Sequence, residues 1–147
     1  MTDSPVDIAE THTLATDLRV TLGRLVRRLR EEALLGELTW PQVLVLGRLD
    51  RDGPMTLTVL AKAEGVRSQS MGETVGAMRA AGLIVGTPDP SDGRQTVLSL
   101  TDAARQLILA SRASREDWLF DRLSQRLTAD EIRHLSDAVA LLQRLID

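Results

Sequence analysis

At 147 residues, with a formal charge of −3, 43% hydrophobic residues and only 2% aromatics, the chain is long enough for one cored domain whose interior must be built from Leu, Val, Ala and Met. It has no cysteine, which excludes a disulfide framework, a thiolate metal site, a cysteine nucleophile and a thiol switch. No apolar run approaches the roughly 20 residues of a bilayer span, and the start (Thr2, Asp3, Asp7, Glu10) is neither basic nor apolar, so a soluble cytoplasmic protein with no membrane partner is expected.

Leu14, Leu18, Leu22, Leu25, Leu29 and Ala33 recur at helical spacing and predict a long amphipathic helix from about Thr13 to Leu35. Its polar side carries Arg19, Arg24, Arg27, Arg28 and Arg30. These arginines could flank nucleic acid or hold an anion, but Arg27 with Glu31 and Arg28 with Glu32, four residues apart, suit an ordinary solvated face. Thr39-Trp40-Pro41-Gln42 forms a capping box, stapled by Leu38 and Val43, so a second helix starts at Trp40 and stops near Asp52-Gly53-Pro54.

Thr58 can cap a short third helix, Val59 to Glu64, closed by Gly65. A fourth helix runs from about Ser68 to Ala81 before Gly82, with Met71, Val75 and Met78 as its buried stripe. Leu83 to Thr87 and Gln95 to Leu100 are strand-like and joined by Asp89-Pro90-Ser91-Asp92-Gly93-Arg94, a run of turn formers that reads as a hairpin tip. Thr101 caps a long fifth helix through Leu107, Ile108, Trp118 and Leu119. The box Thr128-Ala129-Asp130-Glu131 opens a last helix with the stripe Leu135, Val139, Leu142 and Ile146.

The predicted fold is therefore mainly α with a small β-hairpin wing: one domain over 1–147, holding a winged helix-turn-helix at 38–101 and flanking helices at 8–37 and 102–147. The flanking stripes exceed what a compact winged helix needs to cover its core, and a second copy of the chain in a two-fold dimer would bury them. In a helix-turn-helix the second helix enters the major groove of double-stranded DNA, which makes Arg67, Ser68, Gln69, Ser70 and Glu73 the candidate reading residues. Gln suits adenine, Glu suits cytosine N4, Ser serves several edges, and Arg67 suits guanine or phosphate. A polar, solvated helix face is the alternative. Gly72 and Gly76, which each cost about 1 kcal/mol against Ala inside a helix, either let it lie close to DNA or relieve packing against a neighbour.

The ordered set Leu38-Thr39-Trp40-Pro41-Gln42, Leu60-Ala61, Gly82-Leu83-Ile84, Asp89-Pro90-Ser91-Asp92-Gly93-Arg94 and Leu100-Thr101 resembles the MarR family of bacterial transcriptional regulators over roughly Leu14 to Leu145. The resemblance implies a homodimeric repressor of pseudo-palindromic operators, released by a small aromatic or anionic effector. It implies that Arg94 reaches into the minor groove while Asp92 holds the loop, although Asp-Gly-Arg is also an ordinary turn. It places an effector pocket among the first, second and fifth helices near Trp40, whose ring could stack on a flat ligand or simply fill core.

Two positions depart from the family: Gly86 at the base of the wing and Glu73 in the reading helix stand where basic residues are common. Between Pro54 and Thr101, Lys62, Arg67, Arg79 and Arg94 face Glu64, Glu73, Asp89 and Asp92, so modest non-specific affinity and a shallow salt dependence are expected. That near-neutral surface also permits a winged helix used for protein contacts without specific DNA binding. An enzyme is not expected, since nucleophile, phosphate-loop and metal-ligand motifs are lacking and His12 and His134 stand far apart; no cofactor or metal is implied.

Overall fold

The computed structural model describes residues 7–33, 35–36 and 38–147; Thr2 and Asp3, Leu34 near the predicted end of the first helix, and Glu37 lie outside the described residues. The elements are α1 (Ile8–Glu31), α2 (Trp40–Asp52), β1 (Met55–Thr56), α3 (Leu57–Glu64), α4 (Ser68–Ala80), β2 (Ile84–Pro88), β3 (Thr96–Leu100), α5 (Asp102–Arg126) and α6 (Ala129–Gln143). This is the mainly helical chain with a small wing that the periodicity predicts. It divides into two compact units, 34–113 and the segments 1–33 with 114–147. The first part of α5, assigned from sequence to the flanking helices, thus belongs with the winged helix up to residue 113.

Helix starts follow the side chains that satisfy orphan amides. Both predicted capping boxes form: Thr39 Oγ1 accepts from Gln42 N (3.5 Å) while Gln42 Oε1 accepts from Thr39 N (3.0 Å), and Thr128 and Glu131 exchange the equivalent pair at 3.3 and 2.8 Å. α1 begins before the predicted Thr13 because Asp7 Oδ1 accepts from Ala9 N at 2.9 Å and from Glu10 N at 3.4 Å. Thr101 caps α5 as read, accepting from Ala104 N at 3.2 Å and donating to Gly82 O at 2.7 Å, which ties the end of α4 to the start of α5.

The third helix corrects the sequence reading. Thr56, not Thr58, is its cap: its backbone is extended (φ −72°, ψ 161°) and its Oγ1 accepts from Val59 N at 3.4 Å. Thr56 is extended because it also ends β1, which the sequence did not disclose; Met55 pairs with Leu98 and Thr56 with Val97. The sheet is antiparallel in the order β1-β3-β2, with Ile84 opposite Leu100 and Gly86 opposite Leu98.

α3 closes on Gly65 in a left-handed conformation (φ 66°), where Gly65 N donates to Lys62 O at 3.2 Å and Val66 N to Ala61 O at 3.0 Å. This pair of bonds satisfies the last carbonyls and turns the chain into α4. Arg48 braces α2 against α3, donating to Glu64 Oε1 at 2.7 Å and to Ala63 O at 3.3 Å, and the hydrogen bond to Glu64 is the main cause that raises its pKa. Beneath these turns lies one apolar core: Leu46 and Leu49 from α2, Leu60 from α3, the predicted stripe Met71, Val75 and Met78 from α4, Leu98 and Leu100 from β3, and Ala104 and Ile108 from α5. Each such Leu or Met contributes about 1.5–3 kcal/mol on burial.

The other unit is built differently. No residue of α1 or α6 is buried, although both are amphipathic. Leu14, Leu22 and Leu25 of α1 and Leu135 and Val139 of α6 stand exposed. Within this unit Ser114 Oγ donates to Glu32 O at 2.9 Å, and the Arg28 and Arg122 guanidiniums each lie over the Trp118 ring, 5.5 Å from its centroid.

Candidate nucleic-acid interface

α4 presents its polar residues because the core claims the opposite side. With 3.6 residues per turn, Met71, Val75 and Met78 share one buried face, which turns Gln69 and Glu73 outward. Arg67, Ser68, Gln69, Ser70 and Glu73 are all exposed. Arg67 stands at the N-cap without making a side-chain cap, so the first amides of α4 keep room for an anion.

The wing tip is shaped by its own carboxylates. Asp89 Oδ1 accepts from Ser91 N at 2.9 Å and from Ser91 Oγ at 2.8 Å, and these bonds, the backbone one first, hold its pKa below the ordinary value. Asp92 Oδ1 accepts from Arg94 N at 3.1 Å, Gln95 N donates to Asp92 O at 3.0 Å, and Asp89 N donates to Gln95 O at 2.9 Å. Arg94 is exposed and its guanidinium has no ion pair among the described residues.

Glu64 is paired with Arg48, Asp89 and Asp92 remain carboxylates tied into the wing turn, and Glu73 is the acid on the outward face of α4. Among the first-helix arginines, Arg28 meets Glu32 at 2.7 Å as read; Glu31, expected beside Arg27, goes to Arg28 as well, at 2.6 Å.

Trp40 is 44% exposed at the start of α2. A neighbouring apolar groove of about 180 Å³ is lined by Pro41, Leu44, Val66, Met71 and Thr74, and Trp40 is not among its lining residues. Sequence reasoning placed Trp118 in the fifth helix and counted Arg79 as a charge, but it did not foresee that the Trp118 indole Nε1 is buried with no hydrogen-bond partner among the described residues or that Arg79 leans on the wing. No periodicity marks either; only the unusual Gly86 hinted at the second.

The family model described as the MarR family matches residues 37–95. An HTH-type transcriptional regulator of Mycobacterium leprae is 34% identical over 134 residues, covering 91% of this chain and 93% of the relative. The chain belongs to the MarR family. It is a transcriptional regulator and not an enzyme. A crystallised Pseudomonas aeruginosa protein assigned to transcriptional regulation is similar at 35% identity and a TM-score of 0.81, covering 93% of this chain and 96% of that one. The Staphylococcus aureus regulator MepR, solved bound to an oligodeoxyribonucleotide, shares the fold at 19% identity and a TM-score of 0.70, with 91% and 98% of the two chains covered.

Proposed function

We propose that this MarR-family regulator works as a homodimer on a pseudo-palindromic operator, each protomer setting α4 in the major groove and its wing in the flanking minor groove. The observation that carries this reading is the exposed row Arg67, Ser68, Gln69, Ser70 and Glu73 opposite a fully buried stripe, next to a wing tip whose Arg94 guanidinium has no ion pair among the described residues. Gln69 and Glu73 read base edges, Arg67 meets guanine or phosphate, and Arg94, shaped by Asp92, enters the minor groove.

Dimerisation is supported by α1 and α6, which carry apolar stripes yet bury no residue. Such stripes are stable when a second copy covers them. Family membership supports a cytoplasmic repressor released by a small aromatic or anionic ligand, and on this reading Trp40 is the ring offered to a flat effector.

The test is fluorescence anisotropy at two salt concentrations, with DNA from upstream of the protein's own gene and a scrambled duplex of equal length, on a sample whose mass is set by sedimentation. Tight preferential binding by a dimer is expected. Equal, weak binding to both duplexes and to every duplex offered by a random pool would instead favour a winged helix used for protein contacts.

A further inference from the structure

Gly86 lies on β2, two residues beyond the buried Ile84 and on the same face of the sheet. A Cβ at this position would stand 2.6 Å from Thr96 Cγ2, 3.2 Å from Arg79 Cζ and 3.3 Å from Arg79 Nη2. The Arg79 guanidinium therefore rests across the base of the wing, in space that only a glycine leaves clear. Arg79 sits in the last turn of α4, on the flank it shares with Gly72 and Gly76. That flank, with Arg94 and Thr96 of the wing, lines a cleft of about 380 Å³. Among the described residues no ion pair or hydrogen bond engages either guanidinium.

What passes through such a cleft follows from duplex geometry. A helix in the major groove, about 12 Å wide, and a wing in the adjacent minor groove, about 6 Å wide, are separated by one sugar–phosphate strand. That strand must run between α4 and the wing, over the cleft where the two uncompensated cations lie.

We propose that Arg79, seated by Gly86, is a second phosphate-neutralising residue of the interface, acting on the strand that passes between the recognition helix and the wing. The proposal rests on the DNA-binding reading above and adds to it a cation that restores at the wing base the charge missing from position 86. A guanidinium reaching phosphate from the end of α4 positions the protein without reading sequence.

The experiment measures Kd across a salt series for wild type, Arg79→Gln, Arg79→Lys and Gly86→Val, on a labelled duplex enriched by the wild-type protein from a random pool and on its scramble. Each lost phosphate contact lowers the log–log salt slope by about 0.9, so Arg79→Gln in a dimer is expected to lower it by about 2, which makes the affinity lost between 50 and 200 mM salt about tenfold smaller. Both duplexes should weaken alike, leaving their ratio unchanged, and Arg79→Lys should keep the wild-type slope. Gly86→Val, which displaces the guanidinium, should match Arg79→Gln, with no further loss in the double variant.

An unchanged slope in Arg79→Gln, with operator preference intact, would overturn the proposal and leave the DNA-binding reading standing. So would a collapse of the operator-to-scramble ratio at unchanged slope, which marks Arg79 as a brace for α4. If the wild-type protein enriches no duplex, both readings fall together. Circular dichroism checks that each variant folds, and exposed Arg79 keeps the test open should Gly86→Val misfold.

Discussion

Replacing Gly76 by Ala is expected to stabilise this protein. Glycine inside a helix costs about 1 kcal/mol relative to Ala, mostly through the freedom its backbone loses on folding. The substitution recovers that cost where the native φ and the surroundings accept a methyl group. Gly76 is not among the positive-φ glycines, and a Cβ there meets no heavy atom within 4 Å. The gain should be about 0.5–1 kcal/mol, or about 1–4 °C in Tm for a chain of this size. Gly72→Ala should behave similarly, its Cβ lying at an ordinary 3.9 Å from Leu57 Cδ2. Gly65→Ala supplies the opposite sign, because φ is 66° there and a side chain in that conformation costs about 1–2 kcal/mol. Thermal unfolding followed by circular dichroism, at one protein concentration throughout, reads all three. A lowered Tm for Gly76→Ala would refute the reasoning and show that this glycine makes room for a neighbour. Because Gly76 also lines the cleft beside the wing, its stabilised variant should bind DNA no better than wild type and should lose affinity if the strand lies close.

Leu60 is 0% exposed, and Leu60→Ala should cost about 2–5 kcal/mol by chemical denaturation, with hydrogen-exchange protection falling first across α3 and α4. Arg94→Ala should weaken DNA binding while leaving Tm and sedimentation mass unchanged, since its guanidinium has no ion pair or hydrogen bond among the described residues; unchanged affinity in a folded dimer would remove the wing from the interface. Asp89 has a lowered pKa in the folded wing, so its contribution is present above the unfolded carboxylate value and is lost as pH falls through the lowered folded one. The Ser91 amide resonance should report that loss in an acid titration, and Asp89→Asn should flatten it.

The parts of the fold that were legible are those specified by neighbours in sequence. Thr39 with Gln42 and Thr128 with Glu131 announce helix starts because each box lies within four residues, and Met71, Val75 and Met78 announce a buried face because a helix brings them together. Thr56 and Thr58 could not be told apart locally. Pairing with β3, distant in the chain, extends Thr56 and makes it the cap, and a two-residue strand shows no alternation of its own. At the proposed interface, the exposure of the candidate residues was legible as the polar side of α4. Arg79 was not, because its guanidinium reaches Gly86 across a gap between helix and sheet that no local spacing encodes.

The turn at Gly65 has a near copy at the far end of α4, where Gly82 (φ 74°) donates to Arg79 O at 3.1 Å and Leu83 N to Met78 O at 2.9 Å. The helix proposed to read DNA is thus entered through the turn that closes α3, is locked at its C-terminus by backbone bonds and is held along one side by core, while the side chains of Ser68, Gln69, Ser70 and Glu73 take no part in the bonds that close it. On the DNA-binding proposal, those four positions form an exchangeable reading head. Descendants of this sequence are free to rewrite them and move to a new operator without re-solving the folding problem, and a laboratory library at the same sites should return folded proteins of altered preference.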